Sequence, residues 1–190
     1  MNDAPEFPEL LALVQRLGFE RRAVTLKSGR SSNVYIDCRN VCLHPRGIVL
    51  CADALTTLLR RSGPAYVAVA GPSIGADPLV SGIAFRSELD GLPVPALLVR
   101  PEPKAHGTGN RVEGLKNVPP GSAVAVIEDV LTSGGSALST VRALRDAGLN
   151  PVRVVVLVDR EEGGRAAVEA EGLHLDVVLR KSDIAPGLDA

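Results

Sequence analysis

Five runs of small and β-branched apolar residues recur at Tyr66 to Ala70, Val94 to Val99, Ala123 to Ile127, Val152 to Val158 and Leu175 to Leu179. Helix-compatible stretches separate them, except once, where a long polar loop intervenes. The runs are nearly continuous rather than alternating apolar with polar, which marks strands covered on both faces. Strands and helices in alternation therefore predict an α/β domain, a parallel-sheet core flanked by helices.

Upstream of these runs, Leu10, Leu13, Val14 and Leu17 fall at helical spacing over Pro8 to Leu17, and Gly18 supplies a stop. Val34 to Cys38 alternates like a short strand after the polar loop Lys27 to Asn33, and Ile48 to Arg61 repeats apolar residues as an amphipathic helix. No internal repeat, heptad pattern or linker divides the 190 residues, so residues 1–190 are expected to form a single domain. A chain of that length buries about 70% of the surface its unfolded form exposes and needs no disulfide or metal staple.

Charge narrows the partners. The 21 basic and 22 acidic residues nearly cancel, and there is no Trp, with only two Tyr and three Phe. Neither a basic surface for nucleic acid nor an aromatic platform for single strands is available, so any anion site must be local. No apolar run is long enough to span a membrane, and the acidic, Pro-containing start MNDAPEFPE is unlike a secretory signal. Cys38, Cys42 and Cys51 are too few and too bunched for a disulfide framework. With His44 they read C-x3-C-x-H-x6-C, which lacks zinc-knuckle spacing, so packed free thiols in a reducing, cytoplasmic setting are the better reading.

The richest segment runs from Ala123 to Ala147. An apolar strand ends in Glu128 and Asp129, passes through VLTSGGS (Val130 to Ser136) and enters a helix over Ala137 to Ala147. Ligands of open parallel sheets bind at the carboxyl ends of strands, which places both acids at a site. Gly134 and Gly135 permit a close backbone approach, and amides at a helix start together with the hydroxyls of Thr132, Ser133 and Ser136 suit a phosphate. Carboxylates beside a phosphate cradle accept hydrogen bonds from the vicinal hydroxyls of a ribose, or reach a magnesium ion through water. The combination describes a phosphoribosyl site. A second feature is the glycine- and proline-rich span from Arg100 to Gly121, whose length marks a binding loop or lid.

VIEDVLTSGGSAL resembles the phosphoribosyl pyrophosphate (PRPP) binding motif of type I phosphoribosyltransferases. TLKSGRSSNVYID (Thr25 to Asp37), VRPEPKAHGTGNRVEG (Val99 to Gly114) and VDREEGG (Val158 to Gly164) resemble the orotate phosphoribosyltransferase family in particular, in order and spacing from Phe7 to Arg180. The resemblance implies a type I phosphoribosyltransferase-like fold with a small hood over about residues 1–45 and a flexible lid over about 100–121. It implies magnesium-dependent transfer of the 5-phosphoribosyl group from PRPP to orotate, a step of pyrimidine synthesis, in a homodimer whose lid is shared between subunits. Residue by residue, it assigns Glu128, Asp129, Val130, Leu131, Thr132, Ser133, Gly134, Gly135 and Ser136 to PRPP. Arg100, Lys104 and His106 go to the pyrophosphate, with Lys104, His106 and Asp129 catalytic, and Thr132, Arg160 and Lys27 go to orotate. Tyr35 matches an aromatic beside the base. Magnesium is implied to arrive on PRPP and through water, with no direct protein ligand.

Two positions depart from the family pattern. Pro101 stands where a lysine is common, removing one cation and one amide from the lid, and Gly75 stands where some members carry lysine. Four other readings compete: a phosphoribosyltransferase for another base, a nucleotide-binding regulator with weakened catalysis, a dinucleotide site and a serine hydrolase. The dinucleotide fingerprint fails because GTGNRVEG lacks its third glycine. Gly71 to Gly75 satisfies G-x-S-x-G around Ser73, and Asp159 and His174 follow in triad order. That reading leaves the cationic lid and the acid-acid-glycine string without a role.

Overall fold

The apolar runs assemble into one six-stranded sheet in a computed structural model that describes residues 6–25, 31–61, 63–102 and 110–187. The strands are β1 (Phe19–Thr25), β2 (Ser31–Ile36), β3 (Ala68–Pro72), β4 (Ala96–Val99), β5 (Val112–Glu113), β6 (Ala123–Leu131), β7 (Asn150–Asp159) and β8 (His174–Arg180). The helices are α1 (Pro8–Leu17), α2 (Arg39–Cys42), α3 (Pro45–Arg61), α4 (Asp77–Leu89), α5 (Gly135–Asp146), α6 (Gly164–Ala170) and α7 (Lys181–Ile184). The main sheet has the order β5-β4-β3-β6-β7-β8, all parallel except the two-residue β5, which runs antiparallel to β4.

Helix layers cover both faces, which is why the strands read as continuous apolar runs. On one face α1, α3 and α4 bury Leu10, Leu55, Leu79 and Ile83 against Val69, Ile127 and Val155. On the other, α5 and α6 bury Val141, Leu144 and Val168 against Val126, Val154 and Val156. The hairpin β1–β2 stands apart from the sheet as the hood, packing Val34 and Ile36 into the first layer.

The chain runs outward from β3 to β4, then returns to the far side of β3 to form β6. That reversal opens a crevice beyond the carboxyl ends of β3 and β6, the place where open α/β sheets bind ligands. It puts the loops after Gly71 and after Leu131 side by side.

Several boundaries differ from expectation. Strand β6 runs to Leu131 rather than Ile127, because the long β7 pairs with it as far as Leu131↔Asp159. Strand β3 is displaced from Tyr66–Ala70 to Ala68–Pro72. Val67 is exposed, and the register with β4 continues to Pro72↔Val99. The hood strand β1 and the short helices α2, α6 and α7 carry too few periodic positions to be read from sequence. Within the long span 100–121, Val112 and Glu113 pair with β4 and Leu115–Asn117 form a 3-10 turn, while residues 103–109 lie outside the described ones.

Candidate active site

Leu131 ends β6 and Gly135 opens α5, so Thr132 to Gly134 form a three-residue turn at the crevice. Gly134 caps the helix at φ 85°, a left-handed conformation that glycine adopts without the steric cost of a Cβ. Thr132 is half-buried, Ser133, Gly135 and Ser136 are exposed, and the first amides of the twelve-residue α5 are free to meet an anion. Gly164 supports this turn from beneath. A Cβ there would lie 2.5 Å from the Thr132 carbonyl oxygen, so only glycine lets α6 pack so close.

The two acids sit within β6 rather than past its end. Ile127 and Val130 pack in one layer while Val126 and Leu131 pack in the other, so the inside-outside alternation of the strand reverses across Glu128 and Asp129. Glu128 is 4% exposed, whereas Asp129 is half-buried and accepts a hydrogen bond from its neighbour, Val130 N to Oδ1 at 2.9 Å. The second loop comes to Asp129 directly. A Cβ built on Gly75 would lie 2.6 Å from Oδ2 and 2.8 Å from Oδ1. The same loop folds tightly at Gly71, where a Cβ would meet the Ala76 Cβ at 2.5 Å, and its Ser73–Ile74 peptide is cis.

Arg160 follows β7 directly and is 4% exposed. Its guanidinium pairs with Glu162 at 2.9 Å and donates to the Val34 carbonyl at 3.2 Å, which ties the hood to the sheet. The residue beyond it, Glu161, has φ 59°, costly for a side chain with a Cβ. Its conformation is pinned on both sides. Its amide donates to Asp159 Oδ1 at 2.8 Å, and its carboxylate accepts from the Ser182 amide at 2.9 Å. In the hood, Tyr35 donates its hydroxyl to Asp37 Oδ2 at 3.3 Å, and the Arg39 guanidinium holds the Asp37 carboxyl below the usual range.

At the mouth of the long loop, Arg100 pairs with Glu113 at 2.9 Å, and Arg111 donates to the Arg100 carbonyl and to Ser139 Oγ of α5. Arg100 and Arg111 are thus anchored to the sheet edge and to α5. Lys27, Lys104 and His106 lie outside the described residues.

The three cysteines are buried free thiols. Burial, and then the nearby Cys42 and the Asp129 and Asp37 charges, push the Cys38 thiol well up, while hydrogen bonding to Cys51 and burial push Cys42 up. Among the described residues no three His, Cys, Asp or Glu side chains gather closely enough to hold a metal.

The hydrolase reading fails on geometry. Ser73 lies past the carboxyl end of β3 and donates to Asp77 Oδ1 at 2.8 Å, whereas His174 opens β8 at the opposite edge of the sheet, against Asp176 at 3.1 Å. The sequence marks Gly75 only as a departure from the family pattern, without its proximity to Asp129, and does not show the roles of Gly164 and Glu161. The EEGG string ahead of RAAVEA was the available signal for the latter two.

A parallel sheet under a hairpin hood, with a glycine turn at its switch point, is the type I phosphoribosyltransferase fold. No protein-family model matches the chain. It is 42% identical over 183 residues to the orotate phosphoribosyltransferase of Sorangium cellulosum, covering 96% of this chain and 95% of that one. Its fold is similar to the Mycobacterium tuberculosis orotate phosphoribosyltransferase in complex with Fe(III) dicitrate, with TM-score 0.81, 38% identity and coverage of 95% and 99%. The same enzyme in complex with PRPP gives TM-score 0.77 at 37% identity, covering 95% and 99%. The chain belongs to the orotate phosphoribosyltransferase family.

Proposed function

We propose that the chain transfers the 5-phosphoribosyl group from PRPP to orotate, giving orotidine 5'-monophosphate and pyrophosphate. The observation that carries this reading is the approach of the Gly71–Gly75 loop to Asp129, three residues ahead of the Thr132–Ser136 turn, at the switch point of the sheet.

In this reading the 5-phosphate sits on the amides and hydroxyls of Thr132 to Ser136, at the start of α5. Asp129, the more exposed acid, accepts hydrogen bonds from the ribose hydroxyls, and Glu128 buttresses it from within β6. Gly71 to Gly75 lets its backbone approach the pyrophosphate. Thr132, Arg160 and Lys27 hold the base, with the rigid Arg160 fork suited to a carboxylated pyrimidine. As pyrophosphate leaves, negative charge grows on it and positive character on the anomeric carbon; Arg100, Lys104 and His106 meet the first, and closure of residues 100–121 keeps water from the second. Magnesium, bound through the diphosphate and water, would supply charge neutralisation on the leaving group. A homodimer that shares its lid, and a cytoplasmic setting, complete the proposal. No helix among the described residues is long and apolar enough to cross a membrane.

The test is turnover of PRPP plus orotate with magnesium, followed by loss of orotate absorbance. Turnover with a purine instead, or pyrophosphate release that ignores orotate, would sink the reading. Lys104→Ala should lower kcat by roughly 100-fold or more, the scale for losing one preorganised charge-stabilising group. Mixing a Lys104→Ala subunit with an Asp129→Ala subunit should restore activity if lid and cradle come from different chains.

A further inference from the structure

The geometry points to Glu162 as a positioning residue for orotate: its carboxylate fixes where the Arg160 guanidinium fork stands. The inference rests on the role given above to Arg160.

Arg160 is 4% exposed, so it presents only a narrow edge of the fork to a ligand, and the direction of that edge decides what it can meet. The side chain does not keep a direction by itself, because arginine is among the residues with the most rotamer freedom. Two contacts remove that freedom, and both go to Nη2. The Glu162 carboxylate, 9% exposed, has Oε1 2.9 Å from it, and the Val34 carbonyl accepts from it at 3.2 Å. Val34 belongs to the hood strand β2, whereas Glu162 stands on the same turn as Arg160 itself. Glu162 is thus the nearer contact and the one that carries the opposite charge. A charge-assisted hydrogen bond is about twice as strong as a neutral one, so the carboxylate dominates the placement.

The backbone around Arg160 does not depend on that carboxylate. The Arg160 amide donates to the Leu131 carbonyl at 2.9 Å, and the Glu161 amide donates to Asp159 Oδ1 at 2.8 Å. The Glu161 carboxylate accepts from the Ser182 amide at 2.9 Å and from the Ser182 hydroxyl at 3.2 Å. Removing the Glu162 carboxylate therefore loosens the Arg160 side chain and leaves the turn that carries it in place. A loosened fork must be ordered again each time the base binds, which weakens orotate. PRPP is assigned to Thr132 to Ser136, so the loss falls on one substrate and spares the other.

The experiment measures KM for orotate at saturating PRPP, KM for PRPP at saturating orotate, kcat and melting temperature. The enzymes are wild type, Glu162→Ala, Glu162→Gln, Glu162→Asp, Arg160→Ala and Arg160→Ala/Glu162→Ala. We expect Glu162→Ala to raise KM for orotate roughly 10-fold or more, the scale of a lost hydrogen bond to a charged group, with KM for PRPP moving far less. Glu162→Gln keeps an acceptor oxygen at the same reach and should recover most of that loss. Glu162→Asp keeps the charge but is one methylene short and should behave like Glu162→Ala. The double variant should be no worse than Arg160→Ala alone, because Glu162 acts only through Arg160. Glu162→Ala with wild-type KM for orotate, while Arg160→Ala is impaired, would overturn the inference and leave the reading of Arg160 standing. Equal rises in both KM values, or losses that multiply in the double variant, would overturn it too. An Arg160→Ala enzyme with wild-type KM for orotate would remove the reading of Arg160 itself. If Glu162→Ala does not fold, the two conservative variants decide: Glu162→Asp binding orotate better than Glu162→Gln refutes placement by reach.

Discussion

Arg153→Met should destabilise the protein by about 3 kcal/mol and leave catalysis untouched. Arg153 is 1% exposed near the start of β7. Its guanidinium pairs with Asp176 of β8 and donates to the Leu58 and Leu59 carbonyls at 3.4 Å each, capping the last turn of α3. Methionine keeps the apolar stem and removes the charge and the donors. Two helix carbonyls then lose their partner, and Asp176, 17% exposed, keeps only the exposed His174. Removing one partner of a buried ion pair costs about 3–5 kcal/mol, and the residual contact of Asp176 with His174 and water favours the lower figure. For a chain of this size that corresponds to a fall in Tm of roughly 6–12 °C. The assay is urea unfolding and melting at fixed protein concentration, beside KM for both substrates. Six residue steps at ~3.3 Å separate Arg153 from Asp159, so the site lies about 20 Å along the strand and KM should not move. Arg153→Met/Asp176→Leu should recover part of the loss, because an apolar pair replaces the unbalanced charge. A single variant within 1 kcal/mol of wild type, or a changed KM for PRPP, would refute the reasoning.

Two further outcomes follow from charge and burial. The Arg39 hydrogen bonds hold the Asp37 carboxyl below its ordinary value, so the pair stabilises the fold above the unfolded value near 3.9 and the contribution vanishes as pH falls through the lowered one. Urea titrations should therefore show Arg39→Ala slightly destabilising at pH 6, as for a largely solvated pair, with the cost shrinking as the pH is lowered; a cost that grows on acidification would contradict the pairing. The buried thiols Cys38, Cys42 and Cys51, two of them shifted up, should resist a disulfide reagent at pH 8 in the native protein. All three should react in guanidinium, and rapid native labelling would show that the packing around α2 and α3 opens.

The layered sheet was legible because burial on both faces leaves a continuous apolar signature, and the five runs at Tyr66, Val94, Ala123, Val152 and Leu175 each became a strand. Their ends were not legible, since pairing partners set them. β6 carries its acids inside the strand only because β7 is long enough to accompany it to Leu131. The turn between β6 and α5 could be read from TSGGS, whose paired glycines suit a tight turn that opens a helix. Contacts between segments far apart could not. Nothing in the string GPSIG announces that residue 75 abuts residue 129, or that Glu161 takes a left-handed conformation held by Ser182. Arg160 stood out only as an orotate-site candidate by resemblance, while its burial and its bond to the Val34 carbonyl of the hood depend on the assembled fold.

That bond sets the timing of the molecule's birth. Arg160 is synthesised 126 residues after Val34, and Ile184, whose carbonyl receives the Gln15 side chain of α1, comes 169 residues after it. At about 5–20 residues per second, the hood emerges from the ribosome and waits roughly 6–25 s for the arginine that ties it down. During that interval the strands whose Val69, Ile127 and Val155 share a core with Val34, Ile36 and the inner face of α1 are still being made, so the nascent chain is most open to chaperones, and to misassembly, at its N-terminal end.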